Sequence, residues 1–389
     1  MLETLLYMLV AASWIYWLVA WWATRAFFQT RPEADPGLTP PVSILKPVKG
    51  LDAQVYQNYA SFCRQDYPTF ELLFGVADPQ DPVFPILKRL QQGFPEYNIR
   101  LITGEAMGSN RKASLLHHLA AQARHEVLVI SDSDMQVSPD YLRRVVAPLA
   151  DEQIGLVTCP YRGGAPSGLA AQLGALHMGV TFLPSAVVAS QLFRMPLAMG
   201  ATMALRRGDL SRMGGFEAIA DYLADDYQLG ARVARLGKRV HVSTYVTTSI
   251  LGKTTFREQW RREVRWARCT RVSRPWEYPG LLLTFSTPLA LILLPISGFA
   301  AVGWLALAVS LLLRWAVGWW VTGYTRDEET RRWLIWLPLR DVLSALVWCT
   351  SIMGRSIYWR GEQFALKSDG RMQPRPSPVE RSFGERHAW

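Results

Sequence analysis

The chain has 389 residues, half of them apolar and only 19% charged, with a formal charge of +10. That length holds two soluble domains or one domain with membrane spans, and so much apolar content with so little charge excludes a disordered or fibrous chain. Tryptophan divides the sequence: four lie within residues 14–22, none within 23–259, and twelve from Trp260 onward. Rings with a polar edge collect at membrane interfaces, so the composition describes a membrane protein with a large water-soluble insert.

Residues 5–23 carry no charge and are followed by Arg25 and Arg31. A run of that length reaches across about 30 Å of hydrocarbon. The cations follow the apolar run, the reverse of a signal peptide's basic leader. The segment therefore reads as an uncleaved anchor, and the positive-inside rule places the residues after it in the cytoplasm.

Short β-rich apolar runs follow at 42–46, 71–76, 99–102, 127–131 and 154–158, and they read as buried strands. Helical segments at 53–65, 83–92, 112–123 and 139–149 separate them. The alternation predicts a mostly parallel sheet with right-handed crossovers, its ligand site beyond the carboxyl ends of the strands. Those ends are acidic. The second run leads into Asp78, and the fourth into Asp132-Ser133-Asp134. Two carboxylates at i and i+2 on a strand exit can converge on one hard cation, Mg²⁺ or Mn²⁺, leaving its other positions to water and diphosphate oxygens. The rival reading is a turn or N-cap before the helix near Ser138 and Pro139; placement directly after an apolar strand favours the cation.

Asn110, Arg111 and Lys112 precede a helix, where backbone N–H groups and a cation meet phosphate or form a solvated cap. Residues 168–192 are largely apolar, and suit either a membrane interface beside the site or a buried helix of the soluble domain. Gly200-Ala201-Thr202-Met203 is a small-residue strand able to pass close to a ligand. Asp225 and Asp226 open a further helix; one acid favours the helix dipole, which leaves the other free to act as a base.

Residues 253–274 hold eight cations and two acids, and Phe256, Trp260, Val264 and Ala267 recur at helical spacing. This is an amphipathic helix. Its cations face anionic lipid, a departing anion, or both from different faces; with six net charges in one segment, the +10 is no sign of nucleic-acid binding. Residues 281–324 have Arg314 as their only charge and divide near 298–303 into two spans, whereas 333–354 is interrupted by Pro338, Arg340 and Asp341. Ionisable groups inside a span are costly unless they face protein or water, so that last stretch is a span, a re-entrant segment or an interfacial helix. Four full spans would put the tail on the far side, yet Lys367, Arg371, Arg375, Arg381 and Arg386 favour the cytoplasm, and an incomplete last span reconciles the two. The expected division is an anchor (1–26), a catalytic domain (27–252), the basic segment (253–279), a membrane region of two clear spans and one broken segment (280–358), and a polar basic tail (359–389). Cys63, Cys159, Cys269 and Cys349 are too far apart in sequence for a zinc or redox motif and read as free thiols.

The set of motifs resembles the membrane-bound GT-A glycosyltransferases of family 21, the ceramide glucosyltransferases and their bacterial hopanoid-associated relatives. It consists of residues 43–52 (SILKPVKGLD), Asp78, the Asp132-Ser133-Asp134 triplet, Asp226, the (Q/R)xxRW signature at Arg262-Glu263-Val264-Arg265-Trp266, and Trp359-Arg360-Gly361. The resemblance implies a Rossmann-like mixed α/β sheet in the cytoplasm of a multi-pass protein, with an N-terminal transmembrane anchor and C-terminal transmembrane helices, in a bacterial inner membrane. It implies that Asp78 helps hold the uridine of a UDP-sugar, that Lys112 and Asp132 contact the nucleotide-sugar, and that Asp132 and Asp134 hold the metal diphosphate. Asp226 would serve the acceptor hydroxyl, and Arg262, Arg265 and Trp266 the diphosphate and the acceptor mouth. Eukaryotic ceramide glucosyltransferases carry His before the proline aligned with Pro184, where this chain has Leu183. Residues 182–188 look closer to the hopanoid branch, which implies inverting transfer of N-acetylglucosamine to a hopanoid polyol. The alternatives are glucosylation of ceramide from UDP-glucose, a processive polysaccharide synthase, and a non-catalytic lipid-binding scaffold.

Overall fold

The computed structural model describes residues 1–30, 38–359 and 362–375. Arg31, Arg360, Gly361, Arg381 and Arg386 lie outside the described residues. Seven strands form the main sheet, in the order β3-β2-β1-β4-β8-β6-β9: β1 Val42–Val48, β2 Phe70–Val76, β3 Asn98–Thr103, β4 Val127–Ser131, β6 Ile154–Thr158, β8 Thr202–Arg206 and β9 Arg239–Val242. Pairing is parallel except along β8, which runs antiparallel to both β4 and β6. A smaller sheet joins β5 Met135–Gln136, β10 Thr247–Lys253 and β7 Tyr161–Ser167.

The strands read as apolar runs because both faces of the sheet are covered. Side chains alternate across it. Val42, Ile44, Leu72, Phe74, Val127 and Val129 enter one core, while Leu45, Leu73, Leu128 and Ile130 enter the other, beneath the helix Arg111–Gln122. Asn110 caps that helix by accepting from Ala113 N (3.0 Å), the arrangement that satisfies an orphan first-turn N–H.

Among the described residues, four helices are long and apolar enough to cross a membrane: Leu2–Gln29, Leu169–Gln191, Ala301–Tyr324 and Leu334–Ile352. By this measure the chain is a multi-pass membrane protein. Such helices are not confined to the two ends, since Leu169–Gln191 sits between β7 and β8. It is made of two α-helical segments joined by a π-turn at Met178–Phe182.

Residues 281–324 divide between Ile296 and Ala301. A further bend precedes the first of the two segments: Tyr278–Thr284 is a 3₁₀ turn followed by Ser286–Ile296 at a bend of 72°, and eleven α-helical residues rise only about 16 Å. Side chains of the N-terminal helix meet carbonyls at the bend: Ser13 Oγ donates to Leu283 O (2.7 Å) and Trp17 Nε1 to Thr284 O (3.2 Å). Broken backbone at membrane depth persists where protein satisfies it in this way. Pro288 and Pro338 both sit in the first turn of their helices, Ser286–Ile296 and Leu337–Ile352, where no helical N–H bond is lost.

The neighbours Arg340 and Asp341 each pair elsewhere. Arg340 forks onto Glu263 (2.7 and 2.8 Å) and Asp341 onto Arg314 (2.8 and 2.9 Å), all four buried. The expected polar tail is partly a third sheet, β11 Ser356–Trp359, β12 Glu362–Leu366 and β13 Met372–Pro374. It docks on the catalytic unit: Leu223 N donates to Gly370 O (3.2 Å) and Met372 N to Asp221 O (2.8 Å).

Candidate active site

The carboxyl ends of β1 and β4 lie side by side, since Val42–Leu45 pair in parallel with Val127–Ile130. From the end of β4 the chain presents Asp132 and Asp134. Lys112, in the first turn of its helix, reaches Asp132 Oδ1 at 2.7 Å and Asp225 Oδ2 at 3.0 Å. Asp226 is held by two backbone donors, Gly200 N to Oδ2 (3.0 Å) and Tyr227 N to Oδ1 (2.7 Å). Gly200 is the point where these groups meet. A Cβ there would stand 3.1 Å from Lys112 Nζ, 3.4 Å from Asp132 Oδ2 and 3.6 Å from Asp226 Oδ2, so only glycine leaves the centre open.

Burial and crowding set the protonation of this cluster. Burial raises the Asp226 carboxyl to about 6, with the charge of Asp225 adding to the shift and Lys112 opposing it. Asp134 also rises to about 6, through burial and then the neighbouring charge of Asp132. Burial works against the Lys112 ammonium, yet Asp132 and Asp225 outweigh it and hold that pKa above the usual value. Asp134 is oriented by Ser249 Oγ, which donates to Oδ2 (2.6 Å) from β10. Among the described residues no group of three or more His, Cys, Asp or Glu side chains is placed to hold a metal ion by itself. The donor set thus fits a hard cation held by one or two carboxylates and completed by phosphate oxygens, as diphosphate-bound Mg²⁺ is, and does not fit an all-protein metal cage.

Lys112, Asp132, Asp134 and Asp226 therefore come together. Asp78 does not join them: it is exposed beyond β2, and its Oδ1 accepts from Gln80 N (2.8 Å) within its own turn. The basic helix Phe256–Ser273 begins with a capping box between Thr255 and Glu258. On it, Trp266 packs against the cluster of Ala171, Ala175, Met178 and Leu251 together with Tyr161. Tyr161 links this cluster to the acids, because burial and the charges of Asp226, Asp132 and Asp134 all raise its phenol, while Arg265 opposes them. Arg265 also lies over the Trp359 ring (5.8 Å). Arg262 is half-buried, and its charge helps lower the carboxyl of Glu258. Other cations of this helix are engaged within the protein: Arg261 lies over the Tyr358 ring, and Arg268 and Arg271 donate to carbonyls at residues 350–356.

Two residues of the cluster carried a signal that strand reading passed over. Lys46 is a cation inside the otherwise apolar β1. It donates to Asp132 O (2.9 Å) and lies 3.7 Å from the Phe62 ring centre, and burial lowers it to about 7. Asp52 accepts from Ser133 Oγ (2.5 Å) in the centre of the Asp-Ser-Asp triplet. Both lie at or beyond the end of the strand that neighbours β4, the place where sheet topology would look for them.

The architecture is that of a GT-A glycosyltransferase. Over 90% of this chain and 99% of the other, it superposes on the Pyrobaculum calidifontis mannosyltransferase PcManGT, solved with GDP-Man and Mn²⁺, with a TM-score of 0.61 at 19% identity. The family model for glycosyl transferase family 21 matches residues 5–372. The chain belongs to that family and is a hexosyltransferase. Ceramide glucosyltransferase 1 of Caenorhabditis elegans is 24% identical over 94% of this chain and 79% of its own length. Ceramide glucosyltransferase 3 of the same organism is 24% identical over 86% and 74%. Nothing in these comparisons supports the hopanoid-associated branch.

Proposed function

We propose that this enzyme transfers a hexosyl group from a UDP-sugar to the hydroxyl of a membrane lipid, with inversion at the anomeric carbon. Ceramide and UDP-glucose come ahead of a hopanoid polyol and UDP-N-acetylglucosamine, because the full-length relatives are ceramide glucosyltransferases. The observation that carries the reading is the convergence of Lys112, Asp132 and Asp226 on Gly200, at strand ends that lie beside apolar helices. In this reading the catalytic sheet faces the cytoplasm of a bacterial inner membrane, the anchor ends near residue 26, and Asp78 contacts the uridine.

Asp132 and Asp134 would hold Mg²⁺ or Mn²⁺, which when bound offsets charge on a departing diphosphate. Lys112 already stands within ion-pair distance of Asp132 and adds a second positive charge on that side, with Arg262 and Arg265 contributing from the basic helix. The lipid hydroxyl oxygen attacks the anomeric carbon as the bond from that carbon to the diphosphate oxygen breaks. The bonding pair leaves with UDP, and the hydroxyl proton passes to Asp226. Each Asp226 oxygen accepts one backbone N–H and keeps a second lone pair for that proton. With a pKa near 6 it is ionised at neutral pH and more basic than an exposed carboxylate, the condition for a general base.

The test is product analysis. Full-length enzyme in nanodiscs is incubated with Mn²⁺, UDP-glucose or UDP-N-acetylglucosamine, and ceramide, a hopanoid polyol or diacylglycerol, and total lipid is read by mass spectrometry. A hexosylceramide is expected. Release of UDP without a glycolipid from any of these acceptors would overturn the lipid reading.

A further inference from the structure

Beside the acid cluster lies a second concavity that the chemistry above does not use. The helices Leu169–His177, Phe256–Ser273 and Leu337–Ile352 enclose a cavity of about 370 Å³, within the roughly 300–1,000 Å³ range of small-molecule sites. At roughly 30 Å³ for each water-sized group, it has room for about a dozen methylenes. Its walls are apolar: Ala170, Leu173, Phe256, Trp260 and Leu343.

The cavity has two unlike ends. Its outer end continues into lipid-facing surface, where Phe256 is exposed and Leu339 and Leu346 stand exposed on the same helix face as Leu343, at i−4 and i+3. Its inner end is floored by buried polar groups. Glu263 takes the Arg340 fork and the Gln259 Nε2 donor (2.7 Å). Gln259 Oε1 is buried and without a partner. That inner end is also the one nearer the chemistry. Glu263 is one helical turn before Trp266, about 4.5 Å along the axis, and Trp266 packs in the cluster that includes Tyr161.

We propose that this cavity holds a hydrocarbon chain of the acceptor lipid, its tail running out past Phe256 to the bilayer. The proposal rests on the lipid-acceptor reading, and it explains how a hydroxyl attached to insoluble chains is presented to acids at the ends of soluble strands.

The test uses full-length enzyme in nanodiscs, ceramides with a six-carbon or an eighteen-carbon N-acyl chain, and a ceramide bearing a diazirine in its acyl chain. Leu343→Trp narrows the cavity and Leu343→Ala widens it, so the two variants move the readout in opposite directions and either suffices if the other fails to fold. The ratio of KM for the long-chain to the short-chain ceramide is expected to rise about tenfold in Leu343→Trp and to fall in Leu343→Ala. Photo-cross-links should map to residues 169–177 and 256–263. Unchanged ratios in both variants, or cross-links confined to the outer face of Ala301–Tyr324, would overturn the assignment. Cross-links in the cavity of an enzyme that glycosylates no lipid would instead overturn the acceptor reading, and with it the assignment of the bound chain to the acceptor.

Discussion

At the scale of the residue, Asp225 and Asp226 show how position divides two identical side chains. Asp225 pairs with Lys112, whereas Asp226 receives only backbone N–H groups and the field of its neighbour. Asp226→Asn keeps a carbonyl oxygen for one of the two backbone donors, sets an amide NH₂ against the other, and removes the proton acceptor. Turnover is expected to fall by about 10²-fold or more, the range for losing a general base, with UDP binding by calorimetry retained; normal turnover would remove the base assignment. The raised pKa sets a sign. A base must be unprotonated, so the rate should fall as pH drops through about 6 and level off above it. A profile flat down to pH 4.5 would mean that no group raised in this way takes the proton.

At the scale of the element, the helix Leu337–Ile352 lies along the basic helix. Arg340 meets Glu263 near one end, and Arg268 donates to Thr350 O and Met353 O near the other. The charge-dense segment is therefore largely an internal seam rather than a face turned wholly to headgroups. Breaking a buried pair leaves one charge uncompensated, at a cost of about 3–5 kcal/mol, whereas replacing both partners with apolar groups is often neutral. Arg340→Met is accordingly expected to lower the thermal unfolding temperature in detergent markedly, and Arg340→Met with Glu263→Met to restore most of it. Equal losses in the single and double variants would show that the pair is not what holds the seam.

At the scale of the whole molecule, the docked C-terminal sheet carries a prediction about topology. Its bonds to Asp221 and Leu223 hold Gly370 and Met372 beside the acids, so the segments between Tyr278 and Ser356 are expected to cross an even number of times. An out-and-back pair, residues 278–296 and 301–324, with Leu334–Ile352 lying along the basic helix, would meet this condition and agree with the tail's charge. Leu169–Gln191 is likewise tied at both ends, to β7 and β8, and 72% of its most apolar window is buried inside the protein. In a Cys349→Ser background, a membrane-impermeant maleimide should label Lys88→Cys and Ser368→Cys from one side and never label Phe299→Cys from that side. Opposite-sided labelling of Lys88→Cys and Ser368→Cys would sink this topology.

The sequence by itself determined the strands and their acids. Val127–Ser131 and Ile154–Thr158 form where apolar runs predict them, because a strand buried on both faces is written locally, and the acids follow each strand by position alone. The division of labour among charges was not local. Arg340 and Asp341 are adjacent in sequence yet serve partners 77 and 27 residues away, and Lys46 finds Asp132 O only because β1 lies beside β4. Pro338 and Pro288 both fall in a first turn, and the bend before Pro288 persists because Ser13 and Trp17 donate to the carbonyls of Leu283 and Thr284. Only the tertiary structure decides such matters, since a buried charge or an unpaired carbonyl is tolerated according to what the fold brings to it, and that partner can come from anywhere in the chain.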